Sequence, residues 1–216
     1  MVLLLAFITM LIDHIGMIFF PSEDLFRIIG RVSFPLFAWW IVRGYKMTKN
    51  KLNYAKRIWI LAAISQVPFF FINQDVLFLN VCFTLLFGLF SLSIIENNKL
   101  PSYLKVIAIF AIIFLSEYFH FDYGIYGILS VILLYFTWQK KIMSVVFFAL
   151  LTFLCYWIDY NTMDIYFHLQ FYAILAPIIL YFTPIQKYDF KINFYLKYWF
   201  YPGHLMILYL IYFFIS

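Results

Sequence analysis

Nine apolar segments, separated by short polar ones, make up almost the whole chain. They cover residues 2–20, 33–45, 57–72, 76–95, 103–119, 123–138, 142–158, 165–182 and 198–214. A transmembrane helix needs about 20 predominantly apolar residues, and most of these segments approach that length. The pattern predicts an all-α fold: a polytopic integral membrane helix bundle of about nine transmembrane helices. No segment is long and polar enough for a soluble domain, so residues 1–216 are expected to form a single transmembrane domain.

The composition excludes an ordinary soluble protein that carries a single anchor. Hydrophobic residues make up 66% of the chain and charged residues 12%, and the mean hydropathy is +0.94. Soluble domains contain about 45–50% apolar and about 25% charged residues. The two cysteines, Cys82 and Cys155, both fall within apolar segments, which favours neither a disulfide framework nor a metal site.

Charges alternate between the two sets of connecting loops. One set carries twelve Lys or Arg residues and two acids, Glu96 and Asp189; the other carries seven acids and two bases, Arg27 and Arg31. Because cytoplasmic loops of membrane proteins are enriched in Lys and Arg, the first set and the N-terminus are predicted to lie in the cytoplasm. Membrane orientation thus explains the basic residues, and we expect no nucleic acid partner.

Two consecutive polar residues, Asp13 and His14, interrupt the first apolar segment. A charge at membrane depth costs at least about 2.5–3.5 kcal/mol, so such residues usually face a cavity or a partner. Neighbouring residues point about 100° apart on a helix, so each needs its own partner. Arg31 is the expected counter-ion of Asp13, which leaves His14 as a general base facing a cavity. The alternative is that all three residues form a structural cluster between the first two helices.

Further polar residues lie at helical spacing in later segments. One stripe contains Asn80, Thr84 and Gly88, and a looser one contains Asp122, Tyr126 and Ser130. Stripes of small and polar residues commonly pack membrane helices together, and packing is the favoured interpretation of both. Asn80 is also expected at the depth of His14, where it is a candidate to orient a carbonyl group or a thioester.

Basic residues concentrate at the opposite boundary of the bundle. Arg43 and Arg57 flank apolar segments there and are candidates to bind the phosphates of an anionic cofactor. Gln66 and Pro68 are predicted to interrupt the third segment with a kink. His204 follows Tyr201-Pro202-Gly203 and is predicted to start the last helix, as an interfacial residue or a ligand. The sequence contains no phosphate-binding glycine loop and no metal-binding motif.

Several of these residues fall in segments that, in order, resemble the TraX family of membrane proteins. The segments are ITMLIDHIG at 8–16, IGRVSFPLFA at 29–38, YAKR at 54–57, ISQVPF at 64–69, NVCFTLLFG at 80–88, DYGIYG at 122–127 and YPGHL at 201–205. The resemblance implies a role like acetylation of the N-terminus of a conjugative pilin. It also implies a likeness to transmembrane acyltransferases, which pass an acyl group from cytoplasmic acyl-CoA to an extracytoplasmic acceptor.

The resulting expectation is a multi-pass acetyltransferase of the bacterial inner membrane that uses acetyl-CoA and no metal. Its acceptor would be the N-terminal amine of an exported peptide or a pilin-like protein. The residue roles are our own interpretation: His14, Asp13 and Arg31 are catalytic, Arg43, Arg57, Gln66, Asn80 and Thr84 bind the cofactor, and Asp122 and Tyr126 bind the acceptor.

Two other functions fit the same pattern. One is a small-solute transporter in which Asp13, His14 and Arg31 relay protons. The other is a non-catalytic assembly factor for an exported peptide. The sequence leaves open the acceptor, the acyl chain length, the oligomeric state, and the choice between direct transfer and an acyl-enzyme.

Overall fold

The fold is known from a computed structural model, which describes residues 1–159, 167–188 and 192–215. Within these residues it is all-α, as predicted. The α-helices are α1 Val2–Phe19, α2 Asp24–Gly30, α3 Ser33–Met47, α4 Lys51–Asn73, α5 Val81–Glu96, α6 Ser102–Tyr118, α7 Gly124–Phe136, α8 Lys141–Asp159, α9 Leu175–Phe182 and α10 Phe194–Ile215. Two 3₁₀ helices, Phe167–Ile174 and Pro184–Lys187, flank α9. Asp164 and Asp189, which contributed to the charge pattern, lie outside the described residues.

Four helical stretches of the described chain are long and apolar enough to cross a membrane. They are Val2–Phe19, Asp24–Met47, Lys51–Asn73 and Tyr195–Ile215, and four further apolar helices are 10–17 residues long. The second stretch combines α2 and α3, which meet at a two-residue turn. The sequence analysis predicted a transmembrane segment only at 33–45 in this stretch, because charged residues are frequent in the residues just before it. These apolar helices make the chain a membrane protein.

Contacts between side chains give the directions of the helices. Phe7 stacks on Phe200 with ring centroids 4.4 Å apart, and Phe19 meets Tyr212 at 6.4 Å, so α1 and α10 run parallel. α4 runs in the same direction, since its residue Phe71 stacks on Tyr209. We call the end of the bundle that contains Phe19 the Phe19 end.

A second group of helices runs the opposite way. Near the start of α3 and α7, Phe34 stacks on Tyr123 at 4.1 Å. Near their ends, the Lys46 ammonium lies 3.8 Å from the centre of the Tyr135 ring. We call this second boundary the Lys46 end.

Small residues let α5 and α7 approach closely. A Cβ atom on Gly88 would lie 2.9 Å from Val131, and one on Gly127 would lie 2.4 Å from the Thr84 methyl group. Small residues have this function widely in membrane helix packing. Thr84 and Gly88 therefore form a packing surface, which is the interpretation that the sequence analysis favoured for their stripe.

A charged cluster at the Lys46 end joins four helices. The Glu96 carboxylate accepts hydrogen bonds from Tyr45 at 3.0 Å and from Tyr135 at 2.5 Å. It also forms an ion pair with Lys51, whose ammonium lies over the Tyr45 ring. We call this cluster the Glu96 clamp, and it connects α3, α4, α5 and α7.

Candidate functional site

A polar cavity of about 250 Å³ lies towards the Phe19 end of the bundle. Its titratable and charged lining residues come from α1, α2, the turn before α3, the loop before α7, and α10. They are Asp13, His14, Arg27, Arg31, Asp122, Tyr123 and Tyr201. The first apolar segment thus supplies two polar side chains to one cavity, as expected from the cost of placing them against lipid.

Asp13 forms its ion pair with Arg27, whereas the sequence analysis expected Arg31. The Arg27 Nη1 and Asp13 Oδ1 atoms are 2.9 Å apart, and both side chains are largely buried. The reason is α2, which folds back along α1 and brings Arg27 beside Asp13. Arg31 also lines the cavity, and its Nη1 donates a hydrogen bond to Gln170 Oε1 at 3.2 Å.

Glycine makes this arrangement of α1 and α2 possible. A Cβ atom on Gly30 would lie 2.1 Å from Asp13 Oδ1, which is far inside van der Waals contact. Gly16 is equally close to Phe26, with a distance of 2.1 Å from its added Cβ to that of the phenylalanine. The two glycines therefore let α2 lie against α1 and set the position of the Asp13 carboxylate.

The hydrogen bonds of His14 determine which of its ring nitrogens carries the proton. His204 Nδ1 lies 2.7 Å from the Phe200 carbonyl oxygen, which can only accept, so this nitrogen donates. In a neutral His204 the Nε2 atom is then an acceptor, and it lies 2.7 Å from His14 Nδ1. His14 must donate through Nδ1, which leaves its Nε2 atom unprotonated. This is the tautomer that a general base requires.

His204 is the main site residue that sequence reasoning missed. It was placed at the start of the last helix, but α10 begins at Phe194 and His204 is a buried residue well inside it. The rings of His14 and His204 also stack, with centroids 4.9 Å apart. No local pattern indicated this pairing, because the predicted start of the last helix at residue 198 put His204 within its first two turns.

Asp122 enters the cavity from a loop that backbone hydrogen bonds fix in place. Its N–H donates to the Leu79 carbonyl at 2.8 Å, and its own carbonyl accepts from the Thr84 hydroxyl. The next residue, Tyr123, has a φ of +66°, an unusual value for a residue with a side chain. Burial raises the pKa of Asp122 to about 6, although the nearby Arg31 guanidinium opposes the shift.

Three residues expected to bind a cofactor form hydrogen bonds within the fold. Asn80 Nδ2 donates to Gln66 Oε1 at 2.7 Å and to the Ala62 carbonyl at 2.9 Å, while Asn80 Oδ1 caps α5 through Cys82 N. Gln66 donates in turn to the Phe78 carbonyl at 2.8 Å. Thr84 bonds the Asp122 loop. Their polar atoms bond within the protein in this structure, and their assignment to cofactor binding stays a prediction.

Tyr126, which is expected to bind the acceptor, contacts a neighbouring helix. Its side chain is buried, and its hydroxyl lies 3.3 Å from Thr152 Oγ1 on α8. It does not line the polar cavity, whereas its neighbour Tyr123 does. Asp122 and Tyr123 therefore face the polar cavity, and acceptor binding by Asp122 and Tyr126 stays a prediction.

An apolar cavity of about 100 Å³ adjoins the polar one on the side of the Lys46 end. The two cavities share four lining residues, Met10, Phe37, Val81 and Tyr201. The apolar cavity extends from there to Tyr54, at the start of α4, and to Lys197, near the start of α10. These four side chains lie between the two cavities.

The two arginines expected to bind phosphates lie in different places. The Arg43 guanidinium stacks over Trp40 at 4.9 Å, and Lys197 lies near the same ring at 5.9 Å. Trp40 lines the apolar cavity, so Arg43 and Lys197 flank the Lys46 end of that cavity. Arg57 is exposed, bonds the Asn53 carbonyl and lines a separate groove between α4 and α10, and its role as a phosphate ligand stays a prediction.

Comparisons with known proteins give a family and one curated relative. The family model described as TraX protein matches residues 1–212. The chain is 30% identical over 146 residues to the "Probable fimbrial assembly protein FimC, serogroup H1" of Dichelobacter nodosus. That alignment covers 60% of this chain and 58% of the relative, so the chain spans less than two thirds of the relative's length. No solved structure matches the chain.

Proposed function

We propose that this chain, which belongs to the TraX family, is a membrane-embedded acetyltransferase. It moves an acetyl group from cytoplasmic acetyl-CoA to the N-terminal amine of an exported peptide or a pilin-like protein. The observation that carries the proposal is the chain of hydrogen bonds from the Phe200 carbonyl through His204 to His14. It leaves His14 Nε2 unprotonated beside a polar cavity in the membrane-spanning bundle.

The proposed topology has nine transmembrane segments and a cytoplasmic N-terminus in the bacterial inner membrane. α2 and α3 count as one segment, as do α9 and the 3₁₀ helix before it. The asymmetry of loop charges supports this orientation, because the sequence assigns twelve basic residues to the loops on the same side as Lys46; one of them, Lys191, lies outside the described residues. The Lys46 end then faces the cytoplasm, and the polar cavity lies nearer the outer face.

The donor is proposed to enter from the Lys46 end. Arg43 and Lys197 supply two positive charges for the phosphates of CoA, and both lie against Trp40. The apolar cavity suits the pantetheine arm, which is long and mostly uncharged. The thioester would then reach the junction of the two cavities at Met10 and Tyr201.

In the proposed reaction, the acceptor amine attacks the thioester carbonyl carbon while its proton passes to His14 Nε2. The carbon–sulfur bond then breaks, and the leaving thiolate takes the proton from His14, so the products are an acetylated amine and free CoA. Arg31 faces the cavity and is proposed to stabilise the negative oxygen of the tetrahedral intermediate. Asp122, which is ionised above a pH of about 6, is proposed to attract the acceptor's ammonium form.

The choice of acceptor draws on the relative as well as on the family. The curated relative is named as a probable fimbrial assembly protein. A protein acceptor is therefore favoured over a small solute for this chain. The acceptor amine would lie on the outer side, where the polar cavity is nearest the bilayer surface.

The test is transfer of labelled acetyl from acetyl-CoA to a short peptide by the full chain purified in detergent. His14→Gln keeps a polar side chain but removes the base, so transfer is expected to fall about 10²–10⁴-fold while acetyl-CoA binding persists. His168→Gln is the matched control, because His168 is exposed and lies away from the cavity.

Three outcomes would overturn this proposal. Wild-type protein that binds no acetyl-CoA would exclude the transferase. Proton-coupled solute uptake into liposomes without CoA would identify a transporter. Full transfer by a well-folded His14→Gln variant would show that His14 is structural.

A further inference from the structure

A second polar cleft, of about 300 Å³, lies at the Phe19 end between α1, α4 and α10. Its walls are apolar and aromatic, and its polar groups are two amides and two phenols. The lining residues are Met17, Ile18, Phe71, Ile72, Asn73, Gln74, Tyr209 and Tyr212. Neither the family nor the mechanism above assigns this cleft a function. We call it the outer cleft.

The outer cleft adjoins the polar cavity. Met17 and Asn73 line both spaces, so they form the boundary between the cleft and the space beside His14. Met17 follows His14 by three residues on α1 and lies on the same face of the helix. Asn73 uses its Nδ2 atom to bond the Phe69 carbonyl at 2.9 Å, which leaves its Oδ1 atom able to accept a hydrogen bond.

We propose that the outer cleft binds the first residues of the acceptor peptide in an extended conformation, with the α-amine passing between Met17 and Asn73 towards His14. This inference rests on the proposed function and locates its second substrate. The donor and the acceptor then approach His14 from opposite ends of the bundle, through the apolar cavity and the outer cleft respectively.

The chemistry of the cleft matches a peptide better than a sugar or a charged headgroup. None of its lining residues is charged, so a phosphate or a carboxylate would lose its water without a charge partner. Met17, Ile18 and Ile72 offer apolar surface for small side chains. Asn73 and Gln74 offer amide groups that pair with a peptide backbone, and the apolar side chains beside them suit a peptide better than a sugar, which carries hydroxyl groups around its ring.

The test uses a hexapeptide of Ala, Gly and Leu with a free N-terminus and a C-terminal fluorophore. Binding to the full chain in detergent is measured by fluorescence anisotropy, and acetyl-CoA hydrolysis is measured in parallel. Tyr212→Ala removes a half-exposed wall of the cleft and is expected to weaken peptide binding about tenfold. Tyr118→Ala is the control, because Tyr118 is an exposed tyrosine at the same end of the bundle that does not line the cleft.

A second variant tests the passage to His14. Met17→Trp narrows the boundary between the two spaces, so peptide acetylation should fall at least tenfold relative to acetyl-CoA hydrolysis by the same variant. Equal peptide affinity in the Tyr212→Ala and Tyr118→Ala variants would overturn the inference. Displacement of the peptide by glucosamine would also overturn it, because a sugar would then occupy the cleft.

The readouts separate this inference from the function on which it depends. Wild-type protein that hydrolyses acetyl-CoA and acetylates the peptide, with no effect of either cleft variant, would support the transferase and reject the cleft. Wild-type protein that binds the peptide through the cleft but binds no acetyl-CoA would reject the transferase and support a peptide site.

Discussion

The bundle contains two charged clusters of similar composition but different bonding. The Glu96 clamp is partly exposed, and its carboxylate is bonded to Tyr45, Tyr135 and Lys51. The Asp13–Arg27 pair is largely buried, and within the described residues Asp13 Oδ1 has no hydrogen bond of good geometry. A buried polar atom without such a bond is costly, and functional sites commonly retain these atoms. Both oxygens of the Glu96 carboxylate are therefore bonded, whereas the Asp13 carboxylate lies at the polar cavity with Arg27 as its ion-pair partner.

The largest expected effect concerns the histidine pair in the cavity. His204→Phe keeps the ring stacked between His14 and Phe200 but removes the acceptor for His14 Nδ1, so His14 is free to adopt the other tautomer. Acetyl transfer is expected to fall about 10²-fold with little change in the melting temperature. Transfer assays and thermal unfolding in detergent check both parts. Unchanged transfer would mean that His204 only packs against His14.

Removing one member of each ion pair should lower the free energy of unfolding by different amounts in the two clusters. Arg27→Ala leaves the buried Asp13 carboxylate without the partner that it pairs with, which typically costs about 3–5 kcal/mol. Glu96→Gln affects a partly exposed pair, for which about 0–1 kcal/mol is typical. Unfolding in detergent with increasing denaturant measures both. The double variant Asp13→Asn/Arg27→Gln removes both charges and should recover much of the stability that Arg27→Ala loses. Equal losses in Arg27→Ala and Glu96→Gln would contradict the difference between the two clusters.

The smallest substitution adds one methyl group, and we compare its effect at two different glycines. Gly30→Ala forces its Cβ atom into the Asp13 carboxylate, so α2 must shift and the cavity must change shape. Overpacking of this kind typically costs about 1–3 kcal/mol. Gly203→Ala is the control, since a Cβ atom there meets no other atom within 4 Å although it adjoins His204. Thermal unfolding should show a clear loss for the first and no loss for the second.

Much of the fold followed from local pattern. Long apolar segments and their spacing predicted an all-α membrane bundle, because every backbone polar group within a bilayer must be bonded inside its own helix or a closed barrel. The same reasoning identified Asp13 and His14 as cavity residues. The helix α2 was missed, because its charged residues resemble a loop connecting two spans.

The partners of these residues depended on contacts that no local pattern specifies. Arg27 and Arg31 are four residues apart and chemically equivalent, and only the path of α2 along α1 selects Arg27 for Asp13. His204 lies 190 residues from His14 in the sequence. Because α10 begins at Phe194, four residues earlier than expected, His204 lies in the interior of the helix and not at its end. The pairing of Gln66 with Asn80 likewise joins two helices across a loop.

The junction of the two cavities also bears on the electrical insulation of the membrane. Met10, Phe37, Val81 and Tyr201 line both the polar and the apolar space, and three of these four side chains carry no polar oxygen or nitrogen. In the proposed topology this short apolar layer separates two spaces that open towards opposite faces. Moving one elementary charge across a membrane costs about 2.3 kcal/mol per 100 mV, and here most of that voltage would fall across a few side chains. The layer that is proposed to admit a neutral thioester would thus also have to stop protons and ions from leaking through the protein.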